Sequence, residues 1–223
     1  MAHSQTYEAI VLKAYDVGEA DRFLILFTRE CGKISARARG VRKLSSRMGG
    51  HLLPCQHITV NVVEGRAGML VTGAQRKSDV QTAALSSFLQ NEQGIELLLA
   101  LLPEEDPHPE VFDLTLIFLQ QCHGKTIDPH LTFTLQILSL FGILPGLQHD
   151  EYASILTDGE RCFVQECSKG KWVDAAELNP SSQKKIHELC DQLIKNHIHR
   201  DLHAQNIAAS LTKNSECRIQ NVE

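Results

Sequence analysis

Aromatic side chains are scarce in this sequence, since Phe, Trp and Tyr together make up 5% of its 223 residues. Proteins that bind single-stranded nucleic acids commonly stack the bases on aromatic rings. If the chain binds a nucleic acid, this scarcity favours contacts with the phosphate backbone over reading of the base sequence. The seven cysteines are an odd number without regular spacing, which is typical of reduced thiols in a cytoplasmic protein.

Long apolar segments and the common catalytic motifs are also missing. The residues that follow Met1 are polar, so the sequence predicts no signal peptide. The longest apolar stretch, residues 95–102, is interrupted by Glu96 and is too short to span a bilayer. We find no Gly-x-Ser-x-Gly motif, Walker loop, dinucleotide fingerprint or acid–base pair. We therefore expect a cytoplasmic protein that is not an enzyme and that needs no cofactor or metal.

Acidic residues are absent between Glu30 and Glu64, although the whole chain is acidic. The formal net charge is −5, and this window contains six Lys or Arg, so the rest of the chain carries −11. A basic segment within an acidic protein indicates a polyanion-binding site, whereas the alternative is an ordinary solvated strand face. The candidate phosphate-binding residues are Lys33, Arg37, Arg39, Arg42, Lys43 and Arg47.

The basic window begins with the pattern of a strand that runs into a loop. Small apolar side chains alternate with cations, with Ile34, Ala36 and Ala38 on one face and Lys33, Arg37 and Arg39 on the other. Residues on the same face of a strand lie about 6.7 Å apart, so three cations stand in a row. The remaining three cations continue into a loop rich in Gly and Ser.

Five short strands with turns between them are predicted in the first 78 residues. The strands lie near 7–15, 22–28, 33–39, 58–63 and 69–74. Five strands in so short a segment favour a small closed barrel of the oligonucleotide-binding (OB) type. Such a barrel binds its ligand on strands 2 and 3 and the adjoining loops, and the basic row falls on strand 3.

The pattern of the rest of the chain predicts mainly helices, so the predicted fold class is α+β in two parts. Residues 1–78 form an OB-fold domain, and residues 79–223 form a helical domain with a β-hairpin insertion at about 149–175. Helices are predicted at 82–89, 92–102, 110–122, from Pro129 to about Gly142, from Pro180 after a cap at Asn179, and at 203–212. Their apolar faces form a core or, alternatively, a groove for a partner.

Several short motifs follow one another in the N-terminal segment. They are Tyr7–Lys13 (YEAIVLK), Gly18–Arg22 (GEADR), Leu26–Thr28 (LFT), Gly32-Lys33 and Ala38–Arg42 (ARGVR). In this order and spacing they resemble the N-terminal domain of the RecO family of bacterial recombination mediators. A looser resemblance continues through Leu140–Pro145 (LFGILP).

The resemblance implies a function and a set of partners. RecO-like proteins bind single- and double-stranded DNA and anneal complementary strands. They act on strands coated with single-stranded DNA-binding protein (SSB), contact its acidic C-terminal tail, and work with RecR to help load the recombinase RecA. A surface groove in the helical domain is where the resemblance places the SSB tail.

A zinc site is one feature of many RecO relatives that this sequence does not reproduce. Those proteins carry four cysteines in the region after the position of Pro145, and structural zinc sites need two close pairs of ligands. Here only Cys162 and Cys167 lie near each other, and His149 is the one plausible substitute ligand. We therefore expect the hairpin without zinc, with Cys162 and Cys167 as strand residues.

Two patterns near the C-terminus suggest other chemistry. Residues 199–206 spell the H-R-D-L-x-x-x-N pattern of protein kinases, but no Gly-rich loop, D-F-G or A-P-E accompanies it, so we treat it as coincidence. His197, His199 and His203 have a spacing that permits metal binding, although their polar neighbours favour a solvated turn.

Two other functions remain open from the residues alone. In an adaptor protein, the basic strand would bind an acidic partner tail and any DNA contact would be incidental. In an RNA-binding OB protein, the same charges would meet RNA. Tyr7, Phe23 and Phe27 are candidates for base stacking, but we expect both Phe side chains to pack in the core.

Overall fold

The structure is a computed structural model that describes residues 4–78, 85–121, 129–146, 155–175 and 178–198. The strands are β1 (Ser4–Val17), β2 (Asp21–Thr28), β3 (Gly32–Ala38), β4 (His57–Gly65) and β5 (Gly68–Ser78). The helices are α1 (Leu85–Leu101), α2 (Pro109–Gln121), α3 (Pro129–Leu140), α4 (Asp158–Ser168) and α5 (Pro180–Ile198). The predicted α+β class, with an N-terminal OB barrel followed by helices, is confirmed.

The five strands form a closed barrel in the order β1–β2–β3–β5–β4. All neighbours are antiparallel except β3 and β5, which pair in parallel over residues 36–38 and 69–71. The register of β1 against β2 shifts between Val11 and Lys13. Such a bulge bends a strand and increases its twist, which suits β1 to pairing with both β2 and β4. The interior is filled by alternating apolar residues that include Leu24, Leu26, Ile34, Ala36, Ala38, Ile58, Val60 and Val62.

The contacts divide the chain into two compact units, and the first contains residues 1–81 together with 101–120. The second contains residues 82–100 and 121–223. Helix α2 is thus part of the barrel unit, where the rings of Phe112 and Phe27 meet edge to face with centroids 5.4 Å apart. The proposed domain boundary between residues 78 and 79 stays a prediction.

A short connection before α2, residues 102–108, packs along the start of β3 and is called the strap here. The amide of Glu105 donates to the carbonyl of Lys33 over 2.9 Å. Gly32 has a φ of +72°, and a Cβ at this position would lie 2.0 Å from the carbonyl oxygen of Asp106. Only glycine fits such a close approach of two backbones.

In the second unit, helix α3 begins and ends at the predicted signals. Pro129 is its first residue, and residues 129–138 are all buried. At its end the amide of Gly142 donates to Ser139 O and that of Ile143 donates to Leu138 O, over 3.0 and 2.8 Å. With a φ of +66° at Gly142, these bonds form a Schellman motif. The apolar residues of α3 are therefore a core rather than a groove.

The remaining helices differ from prediction mainly in their boundaries. The two segments predicted at 82–89 and 92–102 form one helix, α1, within the described residues. Helix α5 begins at Pro180, and the side chain of Asn179 accepts a hydrogen bond from the amide of Ser182 over 2.8 Å, as the predicted cap requires. The helix predicted at 203–212 lies outside the described residues.

The predicted β-hairpin near 149–175 is wrong, because residues 158–168 form helix α4. Its first turn is a capping box, in which Thr157 accepts from the amide of Glu160 and the Glu160 carboxylate accepts from the amide of Thr157. Phe163, Val164 and Cys167 are buried with helical spacing. The Asp158-Gly159 pair suggested a hairpin turn, but it lies in the first turn of the helix.

Across the described ranges, we find no helix that combines the length and the hydrophobicity that a membrane span needs.

Candidate nucleic-acid interface

The alternation predicted for the basic strand is confirmed in β3. Ile34, Ala36 and Ala38 point into the barrel and are at most 1% exposed, whereas Ser35 and Arg37 are exposed on the outer face. Arg39 follows the strand directly and is exposed as well. The barrel interior therefore fixes the orientation of the two arginines, because a slip of one residue would bury them.

Lys33 differs from the other cations of the row, because it is only 9% exposed. Its ammonium nitrogen lies 3.2 Å from a carboxylate oxygen of Glu104, and Lys33 also forms a backbone bridge with that residue. Glu104 belongs to the strap, so it reaches Lys33 only through the tertiary fold. Lys33 contacts a phosphate only if this ion pair rearranges.

Arg37 is paired with Asp21 at the start of β2. The distance from its Nη2 atom to Oδ2 of Asp21 is 2.8 Å, and the Nε atom donates to the same oxygen over 3.0 Å. The other oxygen of Asp21 accepts from the amide of Gly40 over 2.8 Å. The Gly40 hydrogen bond first, and then Arg37, lower the pKa of Asp21 below its usual value.

Arg42 contacts the turn between β1 and β2. Its Nε atom lies 3.2 Å from Asp16 and its Nη1 atom donates to the carbonyl of Gly18 over 3.0 Å. The other oxygen of Asp16 pairs with Arg22 at 3.0 Å. Asp16 thus bridges two arginines and holds the loop after β3 against the β1–β2 turn.

Arg39, Lys43 and Arg47 are exposed, and within the described residues none of the three forms an ion pair. They flank Leu44, whose side chain is fully exposed. The basic window therefore separates into three cations that hold carboxylates from elsewhere in the chain and three that face solvent. Counting charge along the sequence overestimates the positive potential here, because the fold brings three acids back to the window.

The three aromatic candidates from the sequence lie in different environments. Tyr7 and Phe27 are buried, and a hydrogen bond with Cys31 together with burial raises the pKa of Tyr7 to about 12. Phe23 is 39% exposed on the outer face of β2, so the prediction that it packs in the core is wrong. The apolar run 23–27 suggested a strand buried on both faces, whereas only one face of β2 lines the barrel.

Sequence reasoning missed Tyr15, which is 44% exposed on β1. In the sheet register Tyr15 lies opposite Phe23, and Phe23 lies opposite Arg37. Residues opposite each other in an antiparallel pair share a face, so the two rings and the guanidinium form one cross-strand row. The ammonium of Lys13 lies 5.3 Å from the centroid of the Tyr15 ring. The alternation of Lys13 and Tyr15 was the available signal for an outward-facing ring.

A buried polar cluster lies elsewhere on the barrel. Both ring nitrogens of His57 are bonded, one to Glu8 at 2.8 Å and one to Ser78 at 2.9 Å. Burial alone would raise the pKa of Glu8, but hydrogen bonds from Lys77 and His57 outweigh it and lower that pKa. The cluster joins β1, β4 and β5, which is a structural role.

The geometry of α4 separates the two cysteines considered for zinc. Five helical residues turn through about 500°, so Cys162 and Cys167 face directions about 140° apart. Cys162 is exposed, whereas Cys167 is buried beside Thr132 and burial raises the pKa of its thiol to about 11. In the described residues no three potential ligands gather into a metal site. His149, His199, His203 and the kinase-like segment lie outside these residues.

Comparison with known proteins gives two family matches. The model "Recombination protein O N terminal" matches residues 1–77, and "Recombination protein O C terminal" matches residues 94–151. Similar curated proteins, each named DNA repair protein RecO, come from Myxococcus xanthus and Koribacter versatilis. They are 34% and 35% identical to this chain over 62% and 64% of it, and the chain spans 59% and 60% of their lengths. A protein of the same name from Desulfitobacterium hafniense is 32% identical over 77% of this chain and 70% of its own.

Proposed function

The chain belongs to the RecO family, and from this premise we propose that it is a mediator of DNA repair and homologous recombination. It binds DNA through the outer face of the barrel, anneals complementary strands and helps to load a recombinase on SSB-coated single-stranded DNA. The observation that carries this proposal is the basic surface made by β3 and the following loop. Arg37, Arg39, Arg42, Lys43 and Arg47 are exposed on that surface, and Lys33 lies beside it.

The proposed mechanism involves no bond chemistry. Two complementary strands repel each other through their phosphates, and cations that contact both strands lower that repulsion. Arg39, Lys43 and Arg47, which form no ion pair with the residues that the structure describes, meet phosphates without first breaking one. Arg37 and Arg42 are held in ion pairs with Asp21 and Asp16, so each contacts a phosphate only after it gives up that pair.

The proposed partners follow from the family. They are single- and double-stranded DNA, RecR and the C-terminal tail of SSB, with the recombinase RecA as an indirect partner, all in the cytoplasm. The residues of α3 fill the core, so an SSB tail would contact other side chains. The second unit offers the exposed apolar side chains of Leu140 and Ile155.

The test is fluorescence anisotropy of a labelled single-stranded oligonucleotide, titrated with the protein over a series of salt concentrations. Log affinity falls by about 0.7 per phosphate contact against log salt, so three contacts give a slope of about −2 and six give about −4. We expect a slope near −2, because three of the six cations are paired. The variant Arg39→Ala/Lys43→Ala/Arg47→Ala should bind more weakly and with a shallower slope.

A charge-matched control is Lys169→Ala/Lys171→Ala/Lys184→Ala, which removes three exposed cations from the second unit. It should keep the wild-type slope. Reversing the charges of Arg37 and Arg39 should abolish binding, and unchanged affinity in that variant contradicts the proposal. An annealing assay with complementary strands then follows, and a competition between matched RNA and DNA strands tests the RNA-binding alternative.

A second function, a protein-binding adaptor, is favoured by one observation. Three of the six cations already hold carboxylates, so this surface has the geometry to bind an acidic peptide. A pull-down with an acidic tail peptide separates the two functions. Capture that is lost when Arg42, Lys43 and Arg47 are replaced, together with no DNA binding at low salt, supports the adaptor and contradicts the mediator.

A further inference from the structure

The outer face of β1, β2 and β3 carries two exposed aromatic rings side by side. Tyr15 and Phe23 are opposite each other in the register, on strands that lie about 4.8 Å apart. They are 44% and 39% exposed. Neither belongs to the buried core cluster of the barrel, so the interior does not explain why large rings occupy these positions.

The surroundings of the two rings are polar and charged. Arg37 completes their row, and the next row holds Lys13, Ile25 and Ser35. Lys13 lies over the Tyr15 ring at 5.3 Å. The nearby acids, Asp16 and Asp21, are both held in ion pairs with arginines. An apolar partner would leave these charges desolvated, whereas a nucleotide supplies a flat apolar base together with a negative phosphate.

We infer that Tyr15 and Phe23 form a stacking platform for two unpaired bases of a nucleic acid strand, with Arg37 and Lys13 positioned for the adjoining phosphates. This inference rests on the proposed function and specifies its substrate as a strand with accessible bases. The bases of a duplex are already stacked on each other, so their faces cannot reach these rings. The platform therefore selects single strands, while the loop cations bind any phosphate backbone.

The experiment compares two labelled strands of equal length at one salt concentration, an oligothymidylate and an abasic strand with the same phosphates. The wild-type protein should bind the oligothymidylate at least about tenfold more tightly, because stacking of each base contributes a factor of about five or more. The variant Tyr15→Leu/Phe23→Leu should lose this preference. Its affinity for the abasic strand and its salt slope should stay at the wild-type values.

Phe88→Leu is the matched control, since it removes a ring that is 47% exposed on α1, outside the barrel. It should keep the full preference for bases. Equal binding of both strands by the wild-type protein overturns the platform but leaves the proposed function intact. Binding of neither strand contradicts the proposed function itself. Because the wild-type comparison needs no substitution, the result does not depend on the folding of the variant.

Discussion

At the scale of single residues, two glycines and one buried carboxylate give predictions that can be measured. Gly32 and Gly18 both have positive φ angles, of +72° and +59°. A Cβ at Gly18 would meet nothing within 4 Å, whereas at Gly32 it would overlap the backbone of Asp106. A substitution at Gly18 therefore costs stability only through its backbone conformation, whereas a substitution at Gly32 adds a steric clash.

We expect Gly18→Ala to lower the free energy of unfolding by about 1–2 kcal/mol, the cost of a left-handed conformation in a residue with a Cβ. Gly32→Ala should lower it by about 3 kcal/mol or more, because the strap must also move away from β3. Urea unfolding of both variants measures the difference. Equal destabilisation would mean that the strap does not pack against Gly32.

Glu160 is a buried carboxylate that several hydrogen-bond donors hold. It is 2% exposed and accepts hydrogen bonds from Ser182 at 2.6 Å and from Lys185 at 3.0 Å. Burial alone would raise its pKa, but the bonds from Ser182, the amide of Thr157 and Lys185 lower the pKa to about 2. The folded protein thus holds this group ionised well below the pKa of 4.5 that it has when exposed.

Because the folded pKa lies below the unfolded one, Glu160 stabilises the fold fully above about pH 4.5. That contribution should disappear as the pH falls toward 2 and should amount to at most about 3 kcal/mol. Unfolding free energies measured between pH 7 and pH 2.5 should show this loss, and Glu160→Gln should remove it. Glu188→Gln, at an exposed position of α5, should leave the pH dependence in place.

At the scale of elements, the strands were easier to predict than the segment around α4. In β3 the alternation of Ile34, Ala36 and Ala38 with exposed residues has only one interpretation, because a strand has a period of two. The segment from Thr157 has two possible interpretations. Asp-Gly is frequent in hairpin turns, whereas T-x-x-E is frequent at helix starts. Phe163, Val164 and Cys167 are buried at helical spacing, which agrees with the helix interpretation.

The substitution Gly159→Ala tests this assignment. Gly159 lies in the first turn of α4, its φ is not positive, and a Cβ there meets nothing within 4 Å. Alanine should therefore raise the free energy of unfolding by about 0.4–1 kcal/mol. In a hairpin turn the glycine would need a positive φ, and alanine would lower stability instead. Thermal or urea unfolding distinguishes the two signs.

At the scale of the whole molecule, the charge of a surface depends on which distant residues the fold brings to it. The sequence located the basic window, but it could not show that Asp16, Asp21 and Glu104 pair with three of its six cations. Glu104 lies 71 positions after Lys33, and such pairing is visible only in three dimensions. For the same reason the exposure of Phe23 could not be predicted, since the continuous apolar run 23–27 does not show which face of β2 lines the barrel.

Removing one of these acids should strengthen nucleic-acid binding. Asp16→Asn releases Arg42 and Arg22 from their ion pairs, so it should raise affinity and steepen the salt slope by about 0.7 for each cation that then meets a phosphate. Asp158→Asn changes the net charge equally on α4, where Asp158 pairs with Arg161. If both variants bind alike in the anisotropy titration, net charge rather than the Asp16 pairs controls affinity.

The strap also affects when the barrel unit can complete its folding during synthesis on the ribosome. The first unit needs residues 101–120, which are synthesised after residues 82–100 of the second unit. A nascent chain that ends at residue 78 has all five strands, but the start of β3 then lacks the amide of Glu105, and Phe27 of β2 lacks the ring of Phe112. The barrel is therefore completed only once synthesis has passed α2, and until then an edge of β3 stays open to other chains.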